Sequence, residues 1–345
     1  MNRFPALRPL GNHIGPVFAV VFSGFAWYGE AMKFSRSIRG IVFALLGGIA
    51  WGFSGACAQF LFSHYGADPL WVSSVRMTCA GVVLVAFSLA AFRGPFLAMW
   101  KRPSCVAHLV LFAVFGLAFC QITYLLAIQF SNAATATVVQ YTGPVMIVLY
   151  LCARQRRLPR AAETVAVLLV ISGTFLIATH GDPTTLVMTP EALFWALLSA
   201  FAYALYSLIP GKLMLHYGSV PVVASSLLIG GVLLSLSIQS WTVEPGLDPA
   251  GTAVLFIGLV FFGTIMGFTL YFQAVKDIGA AKTSLLASVE TVSATLFAVV
   301  WLGTAFVPID IVGFVLIVAT VFVLAKHPDS ETSSPKSSSN HCDTQ

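Results

Sequence analysis

The sequence predicts an all-α membrane protein with ten transmembrane helices in two inverted five-helix repeats. Three observations lead to this prediction: the composition, the spacing of the apolar runs and an internal duplication. Hydrophobic residues make up 58% of the 345 residues and charged residues only 9%, whereas a soluble domain carries roughly 25% charged residues. Because the mean hydropathy is +0.90, lipid must solvate most of the chain. This composition excludes a cytosolic enzyme, a nucleic-acid-binding protein and a secreted disulfide scaffold.

The two ends of the chain differ in character from its apolar centre. Residues 1–38 are predicted to form an N-terminal extension. Met32 directly precedes a basic run, so we expect translation to start at Met32; an interfacial N-terminal helix is the alternative. Residues 327–345 are rich in Ser and Thr and contain almost no large apolar side chains, which predicts a disordered cytoplasmic tail.

Between these ends the chain consists of apolar runs of about 18 to 25 residues, each long enough to cross a bilayer as a helix. The predicted spans are 39–61, 69–92, 105–128, 133–152, 161–179, 191–210, 220–240, 251–273, 280–302 and 308–325.

The positions of the basic residues orient these spans. If the N-terminus is cytoplasmic, 17 of the 18 Lys and Arg residues fall in cytoplasmic segments and the outer loops contain none. The exception is Arg76, which lies inside the second span. Basic residues concentrate on the cytoplasmic side of membrane proteins. The pattern therefore predicts ten helices with the N- and C-termini both cytoplasmic.

The two halves of the chain resemble each other. At an offset of 152 residues, 44–74 matches 196–226 with 11 identities in 31 positions, including a shared His-Tyr-Gly. Later matches, such as Tyr124 with Tyr271, follow at an offset of 147. The predicted repeats are 39–179 and 180–326. Because five helices is an odd number, the second copy must insert upside down, as in many secondary transporters.

These features together resemble the EamA-type members of the drug/metabolite transporter superfamily. The similarity rests on Trp51-Gly52, on Arg76, and on the stretch from Tyr124 to Gly143-Pro144 with its counterpart from Tyr271 to Ala294. The resemblance implies export of small metabolites, often amino acids or related compounds, across a bacterial inner membrane. In the second copy the family often has Glu-Pro, whereas this chain has Glu290-Thr291, so the proline-induced helix break is expected to be missing there.

Two charged residues lie within predicted spans and are candidates for transport. Arg76 is roughly 10 Å below the outer end of its span, and a lipid-facing charge there is costly. We expect it to face the bundle interior and attract a carboxylate or phosphate of the substrate; the alternatives are snorkelling or a structural role. Glu290 could carry a proton coupled to substrate release, pair with Arg76, or cap a broken helix.

Uncharged polar and aromatic residues form a second group of candidates. Gln140 and Tyr141 precede Gly143-Pro144 in mid-span, where a loosened backbone can line a cavity. We also expect substrate contacts from Trp51, Tyr124 and Tyr203. Further polar residues considered for the same cavity are Ser54, Gln121, Tyr206 and Gln273.

The remaining sequence features are the absence of catalytic and metal-binding motifs and the presence of two glycine motifs for helix packing. The sequence contains no nucleotide-binding loop and no nucleophile or zinc-protease motif, and the cysteines have no metal-ligand spacing. We therefore expect no enzymatic activity, cofactor, metal or nucleic-acid partner. The Gly48-x-x-x-Gly52 and Gly263-x-x-x-Gly267 pairs permit close helix approach, within the chain or in a homodimer. Alternative functions are transport of anionic substrates such as nucleotide sugars or sugar phosphates, or a non-transport role as membrane scaffold or sensor.

Overall fold

A computed structural model describes residues 36–182, 188–244, 246–278, 283 and 286–326. All regular structure in this part of the chain is helical. The helices of the first part are α1 (Arg36–Tyr65), α2 (Pro69–Ala91), α3 (Arg93–Trp100), α4 (Pro103–Leu111), α5 (Phe119–Phe130), α6 (Ala133–Gln140), α7 (Gly143–Arg154) and α8 (Ala161–Thr179). Those of the second part are α9 (Pro190–Leu208), α10 (Gly211–Tyr217), α11 (Ser219–Ile238), α12 (Pro249–Ala253), α13 (Gly267–Ile278), α14 (Val289–Val300) and α15 (Pro308–Lys326).

Two of the long helices contain π-helical segments, in which the backbone hydrogen bonds skip one residue more than in an α-helix. The first segment, Phe112–Ala118, joins α4 to α5, and the second, Val254–Met266, joins α12 to α13. Each therefore belongs to one continuous helical span. The predicted N-terminal extension and cytoplasmic tail lie outside the described residues.

Within the described residues, eight helical spans are long and apolar enough to cross a membrane. They are Ser37–Tyr65, Pro69–Ala91, Pro103–Phe130, Ala133–Arg154, Ala161–Thr179, Pro190–Leu208, Ser219–Ile238 and Pro249–Val275. Two shorter apolar helices, Val289–Val300 and Pro308–Thr320, follow. The first eight coincide with predicted spans; a count of ten membrane crossings stays a prediction.

Polar residues at the predicted outer ends explain where several helices begin. The side chain of Asp68 accepts a hydrogen bond from the backbone N–H of Trp71 at 2.7 Å, and Asp248 accepts one from Gly251 at 2.7 Å. Asn132 caps α6 in the same way, by accepting from Thr135 N at 2.8 Å. Such caps satisfy N–H groups that have no partner inside the helix.

The helices pack in pairs that join the first part of the chain to the second. α2 packs along α11, α8 along α15, and α1 along α13 and α14. Glycines bring the backbones together: a Cβ atom at Gly81 would lie 2.6 Å from Leu228 N. Gly173 and Gly313 face each other similarly, where either Cβ atom would lie within 2.9 Å of the other residue's carbonyl oxygen.

The glycine pairs noted in the sequence also pack within the chain. A Cβ atom at Gly48 would lie 2.7 Å from Ala287 O, and one at Gly267 would lie 2.5 Å from Trp51 Nε1. These glycines are thus used for contacts between helices of one molecule, while a homodimer stays a prediction.

Large apolar side chains are exposed along the outward faces of several helices. Examples are Phe115, Leu168, Ile171, Val300 and Val315, each more than half exposed. A soluble monomer rarely exposes so extensive an apolar surface. Lipid can solvate it, and the polar backbone is satisfied within the helices.

Candidate functional site

A cavity of about 80 Å³ lies among the helices and collects most of the residues singled out in the sequence. Six of the seven predicted site residues line it: Trp51, Arg76, Tyr124, Gln140, Tyr203 and Glu290. They come from six different helices, four in the first part of the chain and two, α9 and α14, in the second. The seventh residue, Tyr141, is not one of the lining residues, but its hydroxyl contacts Glu290, which is.

Six further residues line the same cavity, and three of them had no role in the sequence-based prediction. The full set is Ser54, Leu117, Cys120, Gln121, Tyr206 and Phe268. The sequence had pointed to Ser54, Gln121 and Tyr206 as polar candidates, but not to Leu117, Cys120 or Phe268. Helical spacing was the available signal for two of these: positions 117, 120, 121 and 124 repeat every three or four residues and share one helix face. Gln273 lies away from the cavity and donates to Asp277 at 3.2 Å.

Arg76 is buried and is held by the second π-helical segment. Its Nε donates a hydrogen bond to Thr264 Oγ1 at 2.7 Å, and that hydroxyl donates to Leu259 O at 2.9 Å. The Thr264 hydroxyl thus bonds the carbonyl five residues earlier in the chain. Within the described residues Thr264 is the hydrogen-bond acceptor of Arg76, so the terminal guanidinium nitrogens remain available to a ligand. Arg76 faces the interior, as its cost in lipid predicts.

Glu290 lies at the start of α14 and is bound by Tyr141 from the other part of the chain. The Tyr141 hydroxyl lies 3.1 Å from Glu290 Oε2 and 3.1 Å from Ala287 O, and it can donate to either oxygen. No ion pair within 4.0 Å joins Glu290 to Arg76 in the described part of the chain. The two opposite charges therefore both border the cavity without neutralising each other directly.

Both helices that contribute Gln140 and Glu290 are interrupted at matched positions. α6 ends at Gln140, and a turn at Tyr141 and Thr142 precedes α7. A turn at Ser288, which matches Tyr141 at the offset of 147 residues, precedes α14. The expectation that the second interruption is missing without a proline is therefore wrong.

The physical reason is that Thr291, at the position matched to Pro144, closes the second turn itself. Both its backbone N–H and its hydroxyl donate to Ser288 O, at 3.1 and 2.8 Å. A side-chain hydroxyl that bonds a nearby carbonyl competes with the helical pattern and bends the helix.

Aromatic rings form one wall of the cavity. The Trp51 ring packs edge-on against Phe268, with centroids 5.4 Å apart, and lies tilted against the Tyr271 ring at 5.1 Å. Tyr203 and Tyr206 lie next to each other, with centroids 6.2 Å apart. Rings in these arrangements attract one another and are held rigidly. The wall thus offers a preformed apolar surface beside the two charges.

The polar atoms of Tyr124 and Gln140 already have hydrogen-bond partners and are less available to a ligand. The Thr137 hydroxyl donates to Ala133 O at 2.7 Å, so the Tyr124 hydroxyl, 2.7 Å away, donates to Thr137. Gln140 Nε2 donates to Cys120 Sγ at 3.8 Å, a long contact to a weak acceptor. Tyr124 is therefore fixed in place, whereas Gln140 can exchange its sulfur partner for a better one.

Contacts at the two ends of α1 lie far from the cavity. Near its first turn, Arg39 donates to both carboxylate oxygens of Asp277, at 2.7 and 2.6 Å. At its last residue, the Tyr65 hydroxyl donates to Asp248 Oδ1 at 2.7 Å. These contacts tie both ends of α1 to the span that contains α13. Within the described residues, no group of three His, Cys, Asp or Glu side chains is arranged to hold a metal ion.

Comparison with known proteins shows which family and which transporters this chain resembles. A model of the EamA-like transporter family matches the chain twice, over residues 38–179 and 191–326. An uncharacterized inner membrane transporter of Salmonella typhimurium, YicL, is 35% identical over 290 residues, which cover 83% of this chain and 95% of that protein. An uncharacterized transporter of Bacillus subtilis, YetK, is 25% identical over 275 residues, covering 76% of this chain and 81% of that protein.

A solved crystal structure has the same fold. It superimposes with a TM-score of 0.58 at 21% sequence identity, covering 86% of this chain and 99% of the other. At that identity the likeness concerns the fold alone.

Proposed function

The chain belongs to the EamA-like transporter family of the drug/metabolite transporter superfamily, and from this we propose that it is a secondary transporter of small organic metabolites. The proposed substrates are amino acids or related compounds, exported across the inner membrane by alternating access. One observation carries the proposal: a buried arginine and a buried glutamate border the same aromatic-walled cavity without pairing. Buried charges are costly, so they are retained where they bind or move something.

In this proposal Arg76 attracts the anionic group of the substrate. Thr264 holds its Nε and leaves the planar end of the guanidinium for a carboxylate, which arginine binds with two parallel hydrogen bonds. The rings of Trp51 and Tyr203 and the amide of Gln140 contact the remainder of the substrate. Tyr124 shapes the cavity through its bond to Thr137.

Glu290 is proposed to carry the coupling proton. Its carboxylate faces the cavity and has the Tyr141 hydroxyl as a donor. A substrate ammonium group and a proton would compete for this single acid, and such competition couples their movements. No other acidic side chain lines the cavity within the described residues.

The size of the cavity supports a conformational change during transport. About 80 Å³ is well below the roughly 300 Å³ of a typical ligand pocket. Helices must therefore separate when a substrate enters. The Arg39–Asp277 and Tyr65–Asp248 contacts lie at opposite ends of α1, and we propose that they open in alternation.

The proposed architecture follows from the same reasoning. Two family matches in one chain support repeats at 39–179 and 180–326. With ten helices and both termini cytoplasmic, these repeats are related by inversion, and a midplane site lies between them. The pairing of α2 with α11 and of α8 with α15 agrees with such symmetry.

The alternative substrates are less well supported. A nucleotide sugar carries two phosphate charges, whereas Arg76 is the one cationic side chain among the described residues that line the cavity. A scaffold or sensor does not require two unpaired buried charges, which are costly in a membrane.

Counterflow in proteoliposomes tests the proposal with a panel of labelled amino acids and nucleotide sugars, with and without a pH gradient. We expect Arg76→Ala to reduce exchange roughly ten- to hundredfold, because a hydrogen-bonded charge interaction is lost. Glu290→Gln should exchange substrate but no longer respond to the gradient.

Matched controls are Arg93→Ala and Glu191→Gln, which change exposed residues of the same types and should behave as wild type. If a folded wild-type protein exchanged no member of the panel, the metabolite proposal would be wrong. If both cavity variants matched the wild type, the site would be wrong although the family is right.

A further inference from the structure

Two polar side chains that line the cavity have no hydrogen-bond partner in the described part of the chain. Ser54 and Gln121 are 2% and 8% exposed, so both are more than nine-tenths buried. Among the described residues, none accepts from or donates to Ser54 Oγ or Gln121 Nε2. Both residues border the cavity, and the space beside them is therefore where a partner can lie.

This pattern contrasts with that of other hydroxyls in the described helices. Thr123 donates to Phe119 O at 2.8 Å, and Thr269 donates to Ile265 O at 2.6 Å. Such bonds to the preceding turn are the usual solution for Ser and Thr in a membrane helix. Ser54 does not use it, and the glutamine amide has no comparable local acceptor.

The position of Ser54 connects it to the site of Arg76. A Cβ atom at Gly263 would overlap Ser54 Oγ, so the hydroxyl lies directly against that backbone. The next residue is Thr264, which holds Arg76. The Ser54 hydroxyl thus packs against Gly263, the sequence neighbour of the residue that positions the guanidinium.

The chemistry of the two groups selects what can bind them. A serine hydroxyl and a glutamine amide are neutral donors and acceptors. They cannot compensate a full charge in a low-dielectric site, and Arg76 and Glu290 already offer both signs. A neutral oxygen or nitrogen fits them best.

We propose that Gln121 and Ser54 form a polar subsite for a neutral hydrogen-bonding group of the substrate, a hydroxyl or a carboxamide. The inference rests on the proposed transport function, because it deepens the description of the same cavity. It predicts that the transporter prefers substrates with such a group over apolar compounds of equal size. A site built for a hydrogen bond discriminates strongly against an analogue that lacks it, since its own polar groups are then left unpaired.

The experiment uses purified full-length protein and pairs of amino acids of similar shape: asparagine with leucine, and threonine with valine. Binding is measured by calorimetry or by the ligand-induced shift in melting temperature. We expect the wild type to bind the polar member of at least one pair roughly tenfold more tightly. Gln121→Leu and Ser54→Ala should abolish that preference, because they weaken binding of the polar member and remove the polar groups that an apolar member leaves unpaired.

Two control variants isolate the cavity. Gln129→Leu changes an exposed glutamine on the same helix as Gln121. Ser226→Ala removes a buried hydroxyl that also has no partner among the described residues but does not line the cavity. Both should keep the wild-type preference. Equal binding of the two members of every pair by the wild type would overturn the subsite while leaving the proposed function intact.

If no amino acid binds, the proposed substrate class is contradicted. A ligand-free measurement then still tests the subsite and so separates the two proposals. The subsite would then be decided by melting temperatures alone: Gln121→Leu should be a few degrees more stable, because it removes an unsatisfied buried group. An unchanged or lower melting temperature for Gln121→Leu, relative to Gln129→Leu, would mean that the amide already has a structural partner and would overturn the subsite.

Discussion

The two stretches matched by the family model place different residues at equivalent positions around one cavity. At the offset of 147 residues, Leu117 corresponds to Thr264, Gly143 to Glu290, and Pro144 to Thr291. In the first stretch these positions hold apolar or backbone-shaping residues. In the second they hold a hydrogen-bond acceptor for Arg76, an acid, and the hydroxyl that closes a turn.

This difference shows how two similar stretches can line one cavity with different side chains. Both stretches keep an interrupted helix and a π-helical segment at matched positions. The scaffold needs only the backbone geometry, and either a Gly-Pro pair or a hydroxyl can produce the interruption. The side chains are free to differ, so the first stretch supplies the cation and the second supplies the anion.

The largest expected effect concerns the close contact that supports the second interruption. In Gly52→Ala, the new Cβ atom would overlap Ser293 Oγ and lie 2.7 Å from both Ala294 N and Glu290 O. Because two of these atoms belong to the backbone, α1 must move away from α14. We expect a loss of about 3 kcal/mol in unfolding free energy, at the upper end for overpacking.

Thermal or SDS unfolding in mixed micelles measures this loss. Gly94→Ala is the matched control, since nothing lies within 4 Å of a Cβ atom there, and it should be neutral. Equal stability of the two variants would mean that α1 does not support the interruption.

The second largest expected effect concerns Thr264, which occupies the position matched to Leu117 of the first stretch. Thr264→Val keeps the shape of the side chain but removes the acceptor of Arg76 Nε. We expect a loss of about 2 kcal/mol, since hydrogen bonds to charged groups are worth more than neutral ones. Transport of anionic substrates should also weaken severalfold, as measured by counterflow.

Thr264→Ser keeps the oxygen and should restore most of both properties. If the valine and serine variants behaved alike, the hydroxyl would have no part in holding Arg76.

The third effect concerns the link between the two interruptions. Tyr141→Phe removes the hydroxyl that lies 3.1 Å from both Ala287 O and Glu290 Oε2. We expect a loss of about 1 kcal/mol in stability, the typical net value of one hydrogen bond. Tyr150→Phe, on α7 and 48% exposed, should have no measurable effect. A Tyr141→Phe protein as stable as Tyr150→Phe would show that the two turns are independent.

The smallest effect tests whether the first interruption depends on its proline. The second turn forms with Thr291 at the matched position, so the surrounding packing, rather than the proline, should keep the first turn. We expect Pro144→Ala to cost less than about 1 kcal/mol, well below the cost of a clash in a packed core.

Gly143→Ala provides the contrast, because its Cβ atom would lie 2.7 Å from Tyr203 Cδ1 and 2.9 Å from Ala200 O. If the proline variant were the less stable of the two, the proline itself would hold the turn.

Much of the cavity lining could be predicted from the sequence, because charge in lipid is so costly. Arg76 and Glu290 stand out in apolar spans, and a burial penalty of this size dictates that they face inward. Trp51, Tyr124, Gln140 and Tyr203 lie on the same cavity for the related reason that polar atoms in mid-span need partners. Leu117 and Cys120 share a helix face with Gln121 and Tyr124, which was a signal for them, whereas Phe268 had none, since an apolar side chain is found equally in the core, in lipid or beside a ligand.

The sequence by itself determined the membrane environment and the apolar spans, because hydropathy over about 20 residues is a local property that no tertiary contact can reverse. It also determined the resemblance between the two stretches. Only the tertiary structure decided which polar groups are satisfied. Tyr141 reaches Glu290 and Thr264 holds Arg76, whereas Ser54 and Gln121 have no partner in the part of the chain that the structure describes. Hydrogen bonding depends on distances of a few tenths of an ångström between helices far apart in the chain, and such distances exist only once the bundle has packed.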